Sequence, residues 1–103
     1  MHILGEYDMI KHEDRKKMSD KTLDLDRARQ SLIEEIEAIN WYQERIDATS
    51  DEDLQDILVH NRDEEKEHAA MLLEWVRRND PAMDQELKTY LFQTKKITEI
   101  EED

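Results

Sequence analysis

The sequence predicts an all-α fold: an antiparallel two-helix hairpin followed by a short C-terminal helix, with two hairpins dimerising into a four-helix bundle. Three observations lead there. A single Gly and a single Pro in 103 residues leave little to interrupt a helix. The apolar residues recur in alternating steps of three and four, the period of one helix face, and not in the steps of two that mark strands. Charged residues make up 42% of the chain, against roughly 25% in ordinary globular proteins, so one chain has little apolar surface to bury by itself and is expected to draw stability from association.

Residues 1–20 are polar, contain Gly5 and mix His2, Lys11, His12, Arg15, Lys16 and Lys17 without a period, which predicts a mobile arm ahead of a domain over residues 21–103. From Leu25 a seam runs through Ala28, Leu32, Glu35, Ile39, Tyr42 and Ile46, the stripe of one helix that stops near Asp47. Thr49 and Glu52 have the spacing of a capping box, so a second helix is expected to start at once, and two helices joined so closely must run antiparallel. Its seam passes through Leu54, Leu58, Asn61, Glu65, His68, Leu72 and Trp75, is broadened by Ile57, Met71 and Val76, and ends near Asn79. Asp80 caps a third helix with Pro81 in its first turn, where a missing amide costs nothing, and Leu87, Tyr90 and Leu91 form its apolar face. The tail from Thr94 is charged, with Ile97 and Ile100 available to dock.

A formal net charge of −13 repels nucleic acid phosphates and anionic lipid and concentrates cations, so metal ions are the expected partners, with no nucleic acid and no membrane. The longest apolar run, Ala69 to Leu73, falls far short of the roughly 20 residues of a spanning helix. Glu6 and Asp8 occupy the place where a signal peptide has its apolar core, which predicts a cytoplasmic protein. The absence of Cys excludes disulfides, thiolate metal sites and a thiol nucleophile, and leaves His and carboxylates as ligands.

Where Leu or Ile is expected, the seams carry Glu35 on the first helix and Glu65 with His68 on the second. Moving a carboxylate into apolar surroundings costs on the order of several kcal/mol unless it is paired or binds a metal. Glu65 and His68 are three apart, so both side chains leave the same helix face and can reach one ion. Di-iron four-helix bundles take one Glu from each of two helices and one ExxH from each of the other two. This chain supplies half of that set, and two copies about a two-fold axis complete it. Carboxylates with one imidazole suit iron or manganese, and anionic ligands favour the ferric over the ferrous ion, which points to a ferroxidase. A non-catalytic metal-dependent helical assembly module is the alternative reading of the same ligands.

The stretches "IEEIEAINWYQERIDA" and "HNRDEEKEHAAMLLEWVRRND" resemble the two core helices of the encapsulated ferritins, and "TYLF" followed by "ITEIEE" resembles their C-terminal segment. The resemblance implies that residues 21–103 are a half-ferritin whose dimer is a ferritin-like bundle. It implies that Glu35, Glu65 and His68 bind iron at a di-iron centre between two subunits, with Tyr42 beside them. It also makes Glu34 and Glu37, next to Trp41, a metal entry or exit site at the dimer surface, where calcium or another divalent cation can bind. Members of that family form a homodecamer ring of dimers, oxidise Fe(II) with O2 and pass the product into an encapsulin nanocompartment, which implies an encapsulin shell protein as partner, iron storage as purpose and the inside of the shell as location. They usually carry a short shell-docking peptide at the C-terminus, which residues 94–103 do not resemble.

Overall fold

The computed structural model describes residues 12–100. These form three α-helices, α1 (Asp20–Ala48), α2 (Glu52–Asn79) and α3 (Pro81–Tyr90), with single 3-10 turns at Arg15–Lys17 and Ile97–Glu99. The expected mobile arm falls mostly on residues outside the described range. Within that range α1 already begins at Asp20, because the Ser19 hydroxyl accepts from the Thr22 amide at 3.1 Å and so caps the helix. Ahead of it, Arg15 reaches Asp26 at 3.4 Å.

The connection between α1 and α2 is only three residues long, which fixes the antiparallel hairpin. The capping box expected from Thr49 and Glu52 is not formed. Asp51 is the N-cap of α2, its carboxylate accepting from the Leu54 amide at 2.8 Å, while the Thr49 hydroxyl accepts from the Asp51 amide at 3.2 Å. The physical reason is that an ionised carboxylate is a stronger acceptor than a hydroxyl and also answers the positive end of the helix dipole. Acidic Glu52 and Asp53 in the first turn of α2, and Arg77 and Arg78 in its last, complement the same dipole.

The two long helices pack along their seams, yet the buried apolar core among the described residues is only Ala28, Ile46 and Val76. A radius of gyration of 17.3 Å exceeds the roughly 13 Å of a compact chain of this size. Apolar side chains that a closed core would cover stand open: Ile33 and Ile36 on α1, and Leu54, Ile57, Met71 and Trp75 on α2. The α2 set is spaced by three, fourteen and four residues, close to whole numbers of helical turns, so it lies on one face, and His68, three residues before Met71, stands on that face.

The Asp80 carboxylate accepts from the Met83 amide at 3.1 Å and caps α3, with Pro81 in the first turn, as the sequence predicts. Ion pairs then hold α3 against the end of α2. Arg77 donates to Glu74 at 2.7 and 2.8 Å and to Asp84 at 2.5 Å, and Asp80 pairs with Arg29 of α1 at 3.0 Å. After α3 the chain turns at Phe92, whose φ of 60° is left-handed and whose ring is fully exposed. Ile97 is exposed and Ile100 half-buried, so only the second of the two tail residues expected to dock does so.

Hydrogen bonds from Arg77 and then Arg78 hold the Glu74 carboxyl down to about 2. The Asp84 carboxyl is lowered by Lys88 and Arg77, and the Asp80 carboxyl by the Met83 amide and then Arg29. A carboxyl that titrates lower in the folded than in the unfolded chain stabilises the fold above its unfolded pKa, and that stabilisation disappears as pH falls through the folded value. Acid titration followed by circular dichroism should therefore show a loss of helix between about pH 4 and about pH 2. Asp84→Asn, which removes one of these carboxyls, should make the loss shallower; a steeper or unchanged acid transition in this variant would contradict the assignment.

Candidate metal centre

Glu35 lies midway along α1, and Glu65 and His68 lie midway along α2 one turn apart, so the antiparallel hairpin brings all three to one level of the seam. Nδ1 of His68 is 3.6 Å from Oε2 of Glu35 and 3.5 Å from Oε2 of Glu65. One ligand atom from each residue lies within 4.8 Å of the others, and among the described residues no other set of three His, Asp or Glu side chains is gathered in this way. The side chains of Glu35 and Glu65 are 25% and 23% exposed and that of His68 is 47% exposed, so the ligands grade from the hairpin interior to its open face.

Two features set this cluster apart from an ordinary surface ion pair. Separations of 3.5–3.6 Å between Nδ1 and the carboxylate oxygens lie beyond a hydrogen bond. Oε2 of Glu35 is buried and, among the described residues, has no hydrogen-bond partner, the His68 ring nitrogen at 3.6 Å being too far to donate one. An ion about 2.1 Å from each of three ligands spaces the donor atoms roughly 3 Å or a little more apart, close to the spacing already present. The donor set of two hard carboxylates and one imidazole fits iron or manganese. Among the described residues the cluster offers three ligands, too few to fill the coordination shell of two ions.

Tyr42 is half-buried further along the α1 seam, with the Arg45 guanidinium 5.8 Å from its ring centroid. It stands about two helical turns from Glu35 and is not one of the gathered ligands. Glu34 and Glu37 are half-buried on the turns flanking Glu35, and within one chain no third His or acidic residue joins them as a ligand group among the described residues. Glu64 pairs with His60 at 2.9 Å on the exposed side of α2, as expected of surface residues. Sequence reasoning missed Arg62 and Gln43, which bridge the helices at 2.8 Å just beyond the cluster. Neither is a seam residue, and only packing shows that they meet. An apolar cleft of about 470 Å³ between α2 and α3, lined among others by Leu73, Leu87 and Leu91, lies apart from the three ligands.

Residues 10–94 match the model of the EncFtn-like family. A ferritin-like protein of Thermotoga maritima is 58% identical over 92 residues, which span 89% of this chain and 81% of that protein. An encapsulated ferritin-like protein of Rhodospirillum rubrum is 52% identical over 90 residues, which span 87% of this chain and 64% of that protein, a little under two thirds. The encapsulin nanocompartment cargo protein EncC of Myxococcus xanthus is 49% identical over 53 residues, 52% of this chain and 41% of that one. The crystal structure of a Nitrosomonas europaea protein superposes with a TM-score of 0.82 at 57% identity, covering 85% of this chain and 97% of that chain.

Replacing the orphaned carboxylate separates stability from metal binding. Glu35→Leu should raise the stability of the metal-free protein by about 1 kcal/mol, the lower end of the cost of an unsatisfied buried acceptor. The same variant should lose the rise in melting temperature that manganese(II) produces in the parent. Denaturation with and without manganese(II) tests both; a Glu35→Leu protein still stabilised by the metal would remove Glu35 from the ligand set.

Proposed function

The chain belongs to the EncFtn-like family, and from that premise we propose that it is a ferroxidase whose di-iron site is completed when two copies meet. The observation that carries this reading is the cluster of Glu35, Glu65 and His68, with its buried and unanswered carboxylate oxygen, beside a stripe of exposed apolar side chains that a second hairpin would cover. Two such clusters facing each other supply two Glu35 carboxylates and two Glu65–His68 pairs, the full ligand inventory of a di-iron four-helix bundle.

In this reading ferrous iron is the substrate. Glu65 and His68 hold one ion in each half, and the Glu35 carboxylates span the two halves. The four carboxylates stabilise the ferric charge more than the ferrous, which makes each ion a better reductant. Two ions held together can give two electrons to one dioxygen, a transfer that single ions in solution must make stepwise. Tyr42 contributes a hydroxyl near the ligands. Glu34 and Glu37, beside Trp41, form the entry or exit path, able to hold calcium or another divalent cation when the partner adds ligands. The net charge of −13 raises the local concentration of the substrate cation.

The names of the relatives supply the setting. One is described as encapsulated and another as encapsulin nanocompartment cargo, so the proposed location is inside an encapsulin shell in the cytoplasm, where the ferric product would be stored. No helix among the described residues is long and apolar enough to cross a membrane. Association of the dimers into a decameric ring rests on the family resemblance.

Anaerobic addition of iron(II) followed by air, with ferric absorbance, oxygen uptake and native mass recorded together, tests the proposal. Rapid oxidation saturating near about one iron per chain, accompanied by metal-promoted dimers or larger rings, is expected. Glu35→Ala and His68→Ala should reduce the fast phase to the rate of buffer, Tyr42→Phe should slow it without abolishing it, and the Glu34→Ala, Glu37→Ala double variant should slow iron entry while leaving the stoichiometry intact. Metal-driven association with oxygen uptake at the buffer rate would instead identify a structural metal module.

A further inference from the structure

The three ligands come from two separate helices, so their spacing depends on how far α1 can slide along α2. A shift by a single residue displaces Glu35 from Glu65 and His68 by about 1.5 Å, well beyond the few tenths of an ångström that a metal site tolerates. Interdigitated apolar side chains usually prevent such sliding. Here only Ala28, Ile46 and Val76 are fully buried, so apolar packing specifies register weakly and polar cross-links must contribute.

We propose that Arg62 and Gln43 form a positioning clamp that holds α1 and α2 in the register the metal ligands require. Nη1 of Arg62 donates to Oε1 of Gln43 at 2.8 Å across the helix pair. Each partner is also gripped from its other side. Arg62 Nε donates to Asp63 at 3.1 Å, and Gln43 Nε2 donates to Asp47 at 3.0 Å, so neither side chain is free to swing away. The Arg62 side chain is 19% exposed while Gln43 is exposed, so the bond contributes direction between the helices more than net stability. Arg62 is one helical turn ahead of Glu65 on the same face, and a rigid turn transmits its position directly to the ligand.

Other links between the helices are less suited to this role. Gln55 donates to the Ile46 carbonyl at 3.0 Å close to the connecting turn, where the chain itself already limits sliding. Arg29 meets Asp80 at the far end of the hairpin, and its side chain is half exposed. The clamp rests on the metal-site reading given above, but it acts before any iron chemistry and can be measured without oxygen.

Cobalt(II), whose visible absorption reports ligand geometry, is the probe. Arg62→Leu and Gln43→Leu should each weaken cobalt(II) binding by about tenfold, as loss of a supporting hydrogen bond typically does, and should alter the visible band. The double variant should be no worse than either single one, because both remove the same bond. Gln43→Glu keeps an acceptor for the guanidinium but gives up the donor to Asp47, and should bind more tightly than Gln43→Leu, whereas Arg62→Lys keeps the charge but loses the planar fork and should weaken binding. Arg62→Lys decides the question even if a leucine variant fails to fold. Cobalt(II) affinity and spectra unchanged in the Arg62 variants would overturn the clamp while leaving the ligands in place, as would fully additive losses in the double variant. A parent protein that takes up no cobalt(II) would overturn the metal-site reading itself, and the clamp with it.

Discussion

Everything in this hairpin is arranged around carboxylates that have been moved off the surface and onto a helix seam. A charged oxygen removed from water must find a donor or a cation, and Oε2 of Glu35 finds no hydrogen-bond donor among the described residues. Such a group can persist only where rigid elements hold it against the cost. Two uninterrupted helices of 29 and 28 residues provide that rigidity, and the three-residue turn between them prevents the seam from opening at one end. The near absence of Gly and Pro is thus part of the chemistry as well as of the fold.

The same constraint accounts for how little apolar surface the hairpin buries by itself. Seam positions given to Glu35, Glu65 and His68 are positions denied to Leu or Ile, and the buried apolar core shrinks accordingly. What remains apolar is turned outward along α2, in a stripe that includes His68 itself. The exposed apolar stripe and the cluster of Glu35, Glu65 and His68 lie on neighbouring surfaces. In the proposed dimer, assembly and metal binding would be a single thermodynamic event, because a ligand that binds only the assembled form stabilises it by mass action.

Where apolar packing is thin, polar links take over the task of specifying geometry. At the far end of α2, Arg77 gathers Glu74 and Asp84 and sets the direction of α3. Near the metal ligands Arg62 reaches Gln43. These contacts are largely open to solvent and contribute little to net stability taken one at a time. Their value lies in direction, since a guanidinium holds its partners in a defined plane.

Periodicity made both long seams legible, because a helix repeats its buried face every three or four residues whatever it packs against. The ligands were legible for a related reason: an acidic residue at an apolar position contradicts its neighbours, and Glu65 with His68 has a spacing that places both on one face. Asp80 and Pro81 announced α3 through local backbone chemistry. Local rules were less decisive at the turn, where Thr49 and Asp51 both qualified as caps and the stronger acceptor prevailed. Arg62 and Gln43 were not legible at all. They lie nineteen residues apart, belong to no periodic pattern, and meet only because the antiparallel crossing brings them level. By itself the sequence determined which residues share a helix face and that Glu35, Glu65 and His68 stand where apolar residues are expected, since both follow from helical periodicity. The tertiary structure decided the separations among Glu35, Glu65 and His68, the missing donor at Glu35 and the cross-links that hold the register, because each depends on the axial offset between two helices, a quantity that no single helix encodes.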